Sequence, residues 1–294
     1  MTRLLLVTLL FTLPTGARAA DSLEDRIAPL VKAHKGKVAV AVKHLMLGTE
    51  FYLNADEPMP TASLIKLPVM IETYSQAAEG KVKLDATLTL RKEDKVPGSG
   101  ILTNHFSDGA SFPLRDGVRL MMAFSDNTAT NLVLDRIGIA STNDRMAKLG
   151  LKETRINAKV FKGSTTSIDP ERTKKYGLGS TTAREMVQLL ELLDAGKLGN
   201  AEATKEMIAH LKACDDKEKM TRFLPAGTVV AHKTGSVNAS KTDAGIVYLK
   251  SGAVAICALT DGNEDQRWVA DNAAQVLIGR IAKEVVDHFQ PTKP

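Results

Sequence analysis

Apolar residues recur at helical spacing over residues 22–33 (Leu23, Ile27, Leu30, Val31), then give way to a dense Val and Ala run over 38–45 that predicts a strand. Residues 51–53 can close a hairpin with it. The helical repeat returns over 64–78, 114–124, 128–137, 143–148 and 182–195, and strand character resumes over 229–233, 244–249 and 254–259. Residues 266–289 read as one long final helix, with Trp268, Val269 and Val276 packing it onto a sheet. Strands at both ends with helices between them predict an α+β fold, a split sheet whose halves enclose a helical insertion. The helical lobe is placed at 61–205 and the sheet lobe at 20–60 and 206–294, interleaved in one globular unit.

A different pattern precedes this. Arg3 is followed by an apolar run from Leu4 to Leu13, then Pro14, Gly16 and Ala17-Arg18-Ala19, the form of a secretory signal with a small-residue cleavage site. Its apolar core is shorter than the roughly 20 residues a bilayer span needs. Residues 1–19 are therefore expected to be removed, leaving a secreted or periplasmic protein with no membrane span.

Composition narrows the class further. At 44% hydrophobic and 25% charged the chain is neither disordered nor fibrous. The net charge is +5, and losing the leader removes two arginines and no acid, so nothing points to a nucleic-acid partner. Cys214 and Cys257 have no zinc spacing, and one disulfide or two free thiols both fit. The six histidines show no His-x-His or His-Glu-x-x-His pairing, and no glycine-rich phosphate loop follows a strand. Neither a metal nor a nucleotide cofactor is expected, and a monomer is.

Chemistry first shows at Ser63-Leu64-Ile65-Lys66, after Pro60 and before an apolar helix. A serine opening a helix and a lysine three residues on share a face, so the amine can reach the hydroxyl. Burial and nearby cations can lower the lysine pKa enough for it to take the serine proton. Taken alone the pair also fits an N-cap serine with a surface lysine. Pro68 lacks the N–H that the Leu64 carbonyl would use in a regular helix, so the helix bends or another donor fills in. Ser125-Asp126-Asn127, between two helical patterns, offers a hydroxyl for proton transfer and an amide for a lysine or substrate carbonyl, or simply a helix cap. Lys233-Thr234-Gly235-Ser236 ends a strand: the glycine allows close approach, and Lys233 and Thr234 can meet a carboxylate.

The ordered trio Ser-x-x-Lys, Ser-Asp-Asn, Lys-Thr-Gly resembles that of class A β-lactamases and penicillin-binding proteins. Residues 124–132, 149–155, 180–183 and 231–235 extend the resemblance over nearly the whole mature chain, and Pro97-Gly98-Ser99-Gly100-Ile101-Leu102 is similar to a less studied environmental branch. The resemblance implies a five-stranded antiparallel sheet packed with the terminal helices, an all-helical lobe, and a site between them. It also implies roles. Ser63 would attack a β-lactam carbonyl, Lys66 would serve as base, Ser125 would protonate the departing nitrogen, and Asn127 would orient lysine and substrate. Lys233, Thr234 and Gly235 would bind the substrate carboxylate end, and the backbone amides of Ser63 and Ser236 would form the oxyanion hole. A small-molecule β-lactam or a D-alanyl-D-alanine peptide is the implied partner, and antibiotic resistance the implied setting.

Three departures from the family pattern stand out. Alignment on Thr154-Arg155-Ile156 puts Val160 where class A enzymes carry the glutamate that activates the hydrolytic water, and Ser164 where they carry asparagine. Glu171, in the longer loop that follows, can replace that base or lie in solvent paired with Arg172 or Lys174. Gly98 falls where relatives place an aromatic gate. No arginine follows Lys233 by about ten residues; Lys241 is the nearest cation, either anchoring the carboxylate or facing water. The sequence thus predicts a serine β-lactamase whose deacylation is atypical. The alternatives are a D-alanyl-D-alanine peptidase or transpeptidase, and a covalent β-lactam sensor.

Overall fold

The computed structural model describes residues 22–290 and is built around a five-stranded antiparallel sheet. Its strands are β1 (Lys37–His44), β2 (Glu50–Leu53), β3 (Val229–Val237), β4 (Ser240–Leu249) and β5 (Gly252–Asp261), in spatial order β2-β1-β5-β4-β3. Pairing of Val237 with Ser240 leaves Asn238 and Ala239 as a two-residue hairpin turn between β3 and β4. The leader expected at 1–19 lies outside the described residues, among which no helix is long and apolar enough to cross a membrane.

The larger helices are α1 (Leu23–Ala33), α2 (Lys66–Ala78), α3 (Leu114–Ala123), α4 (Asn127–Ile137), α5 (Ile139–Lys148), α6 (Ala183–Asp194), α7 (Ala201–Lys212) and α8 (Ala273–Phe289). Helix α1 starts at Ser22, whose Oγ accepts from Asp25 N while the Asp25 carboxylate accepts from Ser22 N, both at 3.1 Å. Alternation along β1 splits the core in two. Val38, Val40 and Val42 join Ile256 and Val247 beneath α1 and α8. Ala39 and Ala41, with Ala231 and Ala255, face the helical lobe. Their small side chains let α6 lie close against the sheet, where fully burying a leucine or valine contributes about 1.5–3 kcal/mol.

Helix α2 runs through the middle of the helical lobe with eleven of its thirteen residues buried. Its buried polar side chains are paired, Gln76 donating to Glu72 at 2.7 Å and Arg145 to Glu72 at 2.8 Å, and the same placement takes Lys66 out of water. A 3-10 turn, Ala62–Ile65, precedes it, so Pro68 is the third residue of α2, in the first turn, where its missing N–H leaves no helical bond unmade.

The structure departs from the sequence reading at several places. The final helix begins at Ala273, not 266, because Asn272 Oδ1 caps it by accepting from Ala274 N at 3.0 Å. Trp268 lies ahead of that helix and is 67% exposed, so it is not a core residue. Helix α7, capped by Asn200, was not foreseen and runs without a break across the lobe boundary set at 205. Strand β4 begins at Ser240 rather than 244, its start disguised by the polar run Lys241-Thr242-Asp243, all buried and hydrogen-bonded internally. Cys214 and Cys257 are both buried free thiols.

Candidate active site

The 3-10 turn sets Ser63 at the start of α2 and against the edge of β3. The approach is close enough that only glycine fits at 235: a methyl there would sit 2.4 Å from Thr61 O and 2.9 Å from Leu64 N. The hydroxyl of Thr242 ties the same turn to the sheet, donating to Thr61 O at 2.9 Å. Ala62 takes a left-handed backbone (φ +47°), which an alanine adopts only under external constraint. Ser63 and Ser236 both line the resulting cleft.

Ser125-Asp126-Asn127 divides its work by side chain. Buried Asp126 is structural: its carboxylate accepts from Ala129 N (2.8 Å), capping α4, and from Ile101 N (2.7 Å) and Leu102 N (2.9 Å). This grip turns Ser125 into a left-handed conformation (φ +53°). Lys66 Nζ donates to Ser125 O (2.6 Å), Ser125 Oγ (3.1 Å) and Asn127 Oδ1 (2.9 Å). Lys233 Nζ approaches from β3, donating to the same Ser125 Oγ at 3.1 Å and to Thr234 O at 2.8 Å. One hydroxyl therefore joins two buried amines. The Asn127 amide nitrogen is already engaged, donating to Pro97 O at 3.0 Å.

Burial is the main reason Lys66 titrates well below an ordinary lysine, and the Lys233 cation adds to it, partly offset by Asp126. Burial also lowers Lys233; Cys214 and Lys219 then act on it in opposite directions, the first raising and the second lowering it. A neutral Lys66 donates two hydrogens and keeps one lone pair, so with three acceptors around it one contact gives way and the lone pair becomes available to a serine proton.

The cleft, about 1020 Å³, runs from Ser63 between the loop at 158–178 and the hairpin at 236–240. Val160 lies on its wall, 8% exposed, and the loop is fixed there by Asn131, whose Oδ1 accepts from Val160 N at 2.8 Å and whose Nδ2 donates to Val160 O at 3.0 Å. Glu171 is not brought into the cleft. It is exposed on the helix Pro170–Tyr176 and faces a separate depression with Lys174 and Lys175. Arg172, one of its two expected ion partners with Lys174, instead meets Glu153 at 3.0 Å. Ser164 does not line the cleft either.

Lys241 neither faces water nor lines the cleft. It is 1% exposed, donates to Val237 O at 2.7 Å, and lies 4.4 Å from the Trp268 ring centroid, so it secures the hairpin. Three further wall residues were not read from sequence as part of the site. Lys219, 1% exposed and paired with Asp216, adds a cation beside Lys233 and Thr234. Trp268 donates from Nε1 to Asn238 Oδ1 at 2.8 Å and stands at the cleft wall. Phe161 (φ +57°, 66% exposed) covers Gly98, where an added methyl would sit 3.2 Å from the phenyl ring. The mouth thus has an aromatic after all, supplied from a different loop.

Comparison with known proteins agrees with this geometry. A family model described as "Beta-lactamase enzyme family" matches residues 22–289. The extended-spectrum β-lactamase PER-1 of Pseudomonas aeruginosa is 27% identical over 266 residues, covering 86% of this chain and 84% of that protein. The crystal structure of a β-lactamase from Sphaerobacter thermophilus superposes with a TM-score of 0.81 at 28% identity, covering 92% of this chain and 98% of that one. A structure of a point mutant of PBP-A, in an acyl-enzyme complex with penicillin G, shares the fold with a TM-score of 0.79 at 24% identity, covering 92% of this chain and 97% of that one.

Proposed function

The chain belongs to the β-lactamase enzyme family, and from that premise we propose that it is a serine hydrolase whose Ser63 is acylated by β-lactams and released slowly. The observation that carries the reading is the Ser125 hydroxyl held 3.1 Å from both Lys66 Nζ and Lys233 Nζ, in a cavity that Ser63 also lines. Neutral Lys66 takes the Ser63 proton as Oγ attacks the lactam carbonyl carbon. The backbone amides of Ser63 and Ser236 receive the oxyanion. The lactam C–N bond then breaks, Ser125 gives its proton to the departing nitrogen, and the proton on Lys66 replaces it. Lys233, Thr234 and Lys219 meet the substrate carboxylate.

Water must then hydrolyse the ester. Val160 cannot accept a proton, and Glu171 faces away, so this step loses a general base contribution of about 100- to 10,000-fold. Turnover is accordingly limited by deacylation. The action is assigned outside the cytoplasm, following the leader pattern of residues 1–19.

Hydrolysis of a chromogenic cephalosporin by the wild type and by Ser63→Ala tests the assignment. Slow hydrolysis that Ser63→Ala abolishes supports it; hydrolysis that survives the substitution overturns it. The aliphatic Val160 also favours a second reading, a peptidase acting on acyl-D-alanyl-D-alanine, in which an amine rather than water receives the acyl group. Release of D-alanine from such a peptide faster than cephalosporin turnover would select that reading.

A further inference from the structure

One residue on the cleft wall is held against both its backbone and its side-chain preference. Lys159 to Lys162 form a four-residue turn, closed by Lys162 N donating to Lys159 O at 3.2 Å, and Phe161 occupies its third position at φ +57°. Where that position takes a positive φ, glycine or asparagine is the usual occupant. A bulky side chain held in the left-handed region is strained. The same ring is 66% exposed, so little burial offsets the strain.

Both neighbours impose this conformation. Val160 is gripped at its N–H and its carbonyl by Asn131. The Lys162 carbonyl accepts from Thr166 N at 2.9 Å and from Thr166 Oγ1 at 2.7 Å. With its flanks fixed, the Phe161 ring is kept over Gly98, where an added methyl would meet the ring at 3.2 Å and Asn127 Nδ2 at 2.8 Å. The ring therefore stands close to the amide of the Ser-Asp-Asn motif.

Two cavities meet at the nucleophile. Ser63 and Ser236 line both the large cleft and a smaller cavity of about 550 Å³ that holds Ser125, Lys219, Lys233 and Thr234. A substrate whose carboxylate is drawn to those cations sends the group on the other side of its reacting carbonyl into the large cleft. Phe161 lines that cleft and not the smaller cavity, as do Val160, Tyr176 and Leu178 from the same loop.

We propose that Phe161 selects the substrate by its acyl side chain, the strained and exposed ring stacking on β-lactams whose side chain carries a flat aromatic group; this rests on the reading of Ser63 as the nucleophile that β-lactams acylate. Stacking covers an apolar surface that folding leaves in water. The fixed turn holds the ring in place before the ligand arrives, so little freedom is lost on binding. Exposure and strain, which folding alone does not explain at this residue, both follow from that role.

The test measures binding without the covalent step, on Ser63→Ala. Trp268 is the one tryptophan of the chain and lines the cleft, so its fluorescence reports occupancy. Benzylpenicillin is compared with 6-aminopenicillanic acid, the same nucleus without the aromatic side chain, and is expected to bind more tightly. Adding Phe161→Gly should cut that advantage about 2- to 12-fold, the range one aromatic pair supplies, and Phe161→Tyr should preserve it. Because glycine accepts the left-handed backbone, Phe161→Gly should also raise the urea midpoint. Weaker binding with greater stability is a combination that a ring needed only for folding would not give. No binding of benzylpenicillin, an advantage unchanged by Phe161→Gly, or a joint fall of affinity and urea midpoint would overturn the proposal. Acylation of Ser63 is read separately, from the cephalosporin assay on the wild type, which tells failure of that reading from failure of this one.

Discussion

The carboxamide of Asn131 closes on both backbone polar groups of Val160, accepting from its N–H at 2.8 Å and donating to its carbonyl at 3.0 Å. One side chain on α4 thereby fixes the path of the cleft loop at Val160, the residue on the cleft wall. Asn131→Ala leaves two buried backbone groups unpaired, each costing about 1–3 kcal/mol. Urea denaturation should show a loss of stability of about 2–6 kcal/mol for the two groups together, and the loop should become more susceptible to proteolysis near residue 160. Unchanged stability would show that water or another partner replaces the clamp.

Glutamate at 160 would add a carboxylate to the wall of the cleft that Ser63 lines, within the site of the proposed acyl-enzyme. Val160→Glu is expected to accelerate release of the acyl group about 100-fold or more. Glu171→Gln should leave steady-state turnover within about twofold, because that side chain faces a different depression. A large drop in turnover for Glu171→Gln would mean that the loop rearranges in the acylated protein to bring it inward.

In the proposed mechanism acylation depends on neutral Lys66, so its rate should fall as pH drops through the depressed pKa of that amine and reach a plateau above it. The midpoint should lie far below that of an ordinary lysine. Single-turnover acylation followed across pH measures it, and Lys66→Ala should remove the pH-dependent limb along with most of the rate. A midpoint near the ordinary lysine value of 10.5 would contradict the role of burial.

Lys66, Ser125, Asn127 and Lys233, which one hydrogen-bond network joins, were legible because each sits in a short motif tied to a helix start or a strand edge. Gly235 was legible for the same reason. Phe161, Trp268 and Lys219 were not, since their arrival at the cleft depends on the course of irregular segments that carry no periodicity. Trp268 was misplaced because an Asn cap at 272 is a weaker signal than the apolar residues around it. The start of β4 was hidden by residues whose polarity is satisfied only in the folded protein: Asp243 by His232 and Met220, Thr242 by Thr61.

The pair of His232 and Asp243 also gives stability a pH signature. The imidazole is raised from its ordinary 6.5 to about 10 in the folded protein, so its contribution is fully present below about pH 6.5 and is lost as pH rises through about 10. Lys66 and Lys233, both lowered, act in the opposite sense, and since Asp243 also acts on Lys233, as the last and smallest of its causes, the difference between wild type and Asp243→Asn reports chiefly on the imidazole pair. That difference should be about 3–5 kcal/mol near pH 6 and shrink on the alkaline side. A difference that is flat across the range would mean the histidine is neutral in the native state.

The central claim, fast acylation of Ser63 followed by slow hydrolysis, is tested most directly by intact-protein mass against time after mixing with a penicillin, with free hydrolysed product followed in parallel. The account predicts an adduct that forms quickly, is absent in Ser63→Ala, and persists while product appears slowly. Many equivalents of product with no accumulating adduct would contradict it, by showing that deacylation is rapid without a carboxylate at residue 160.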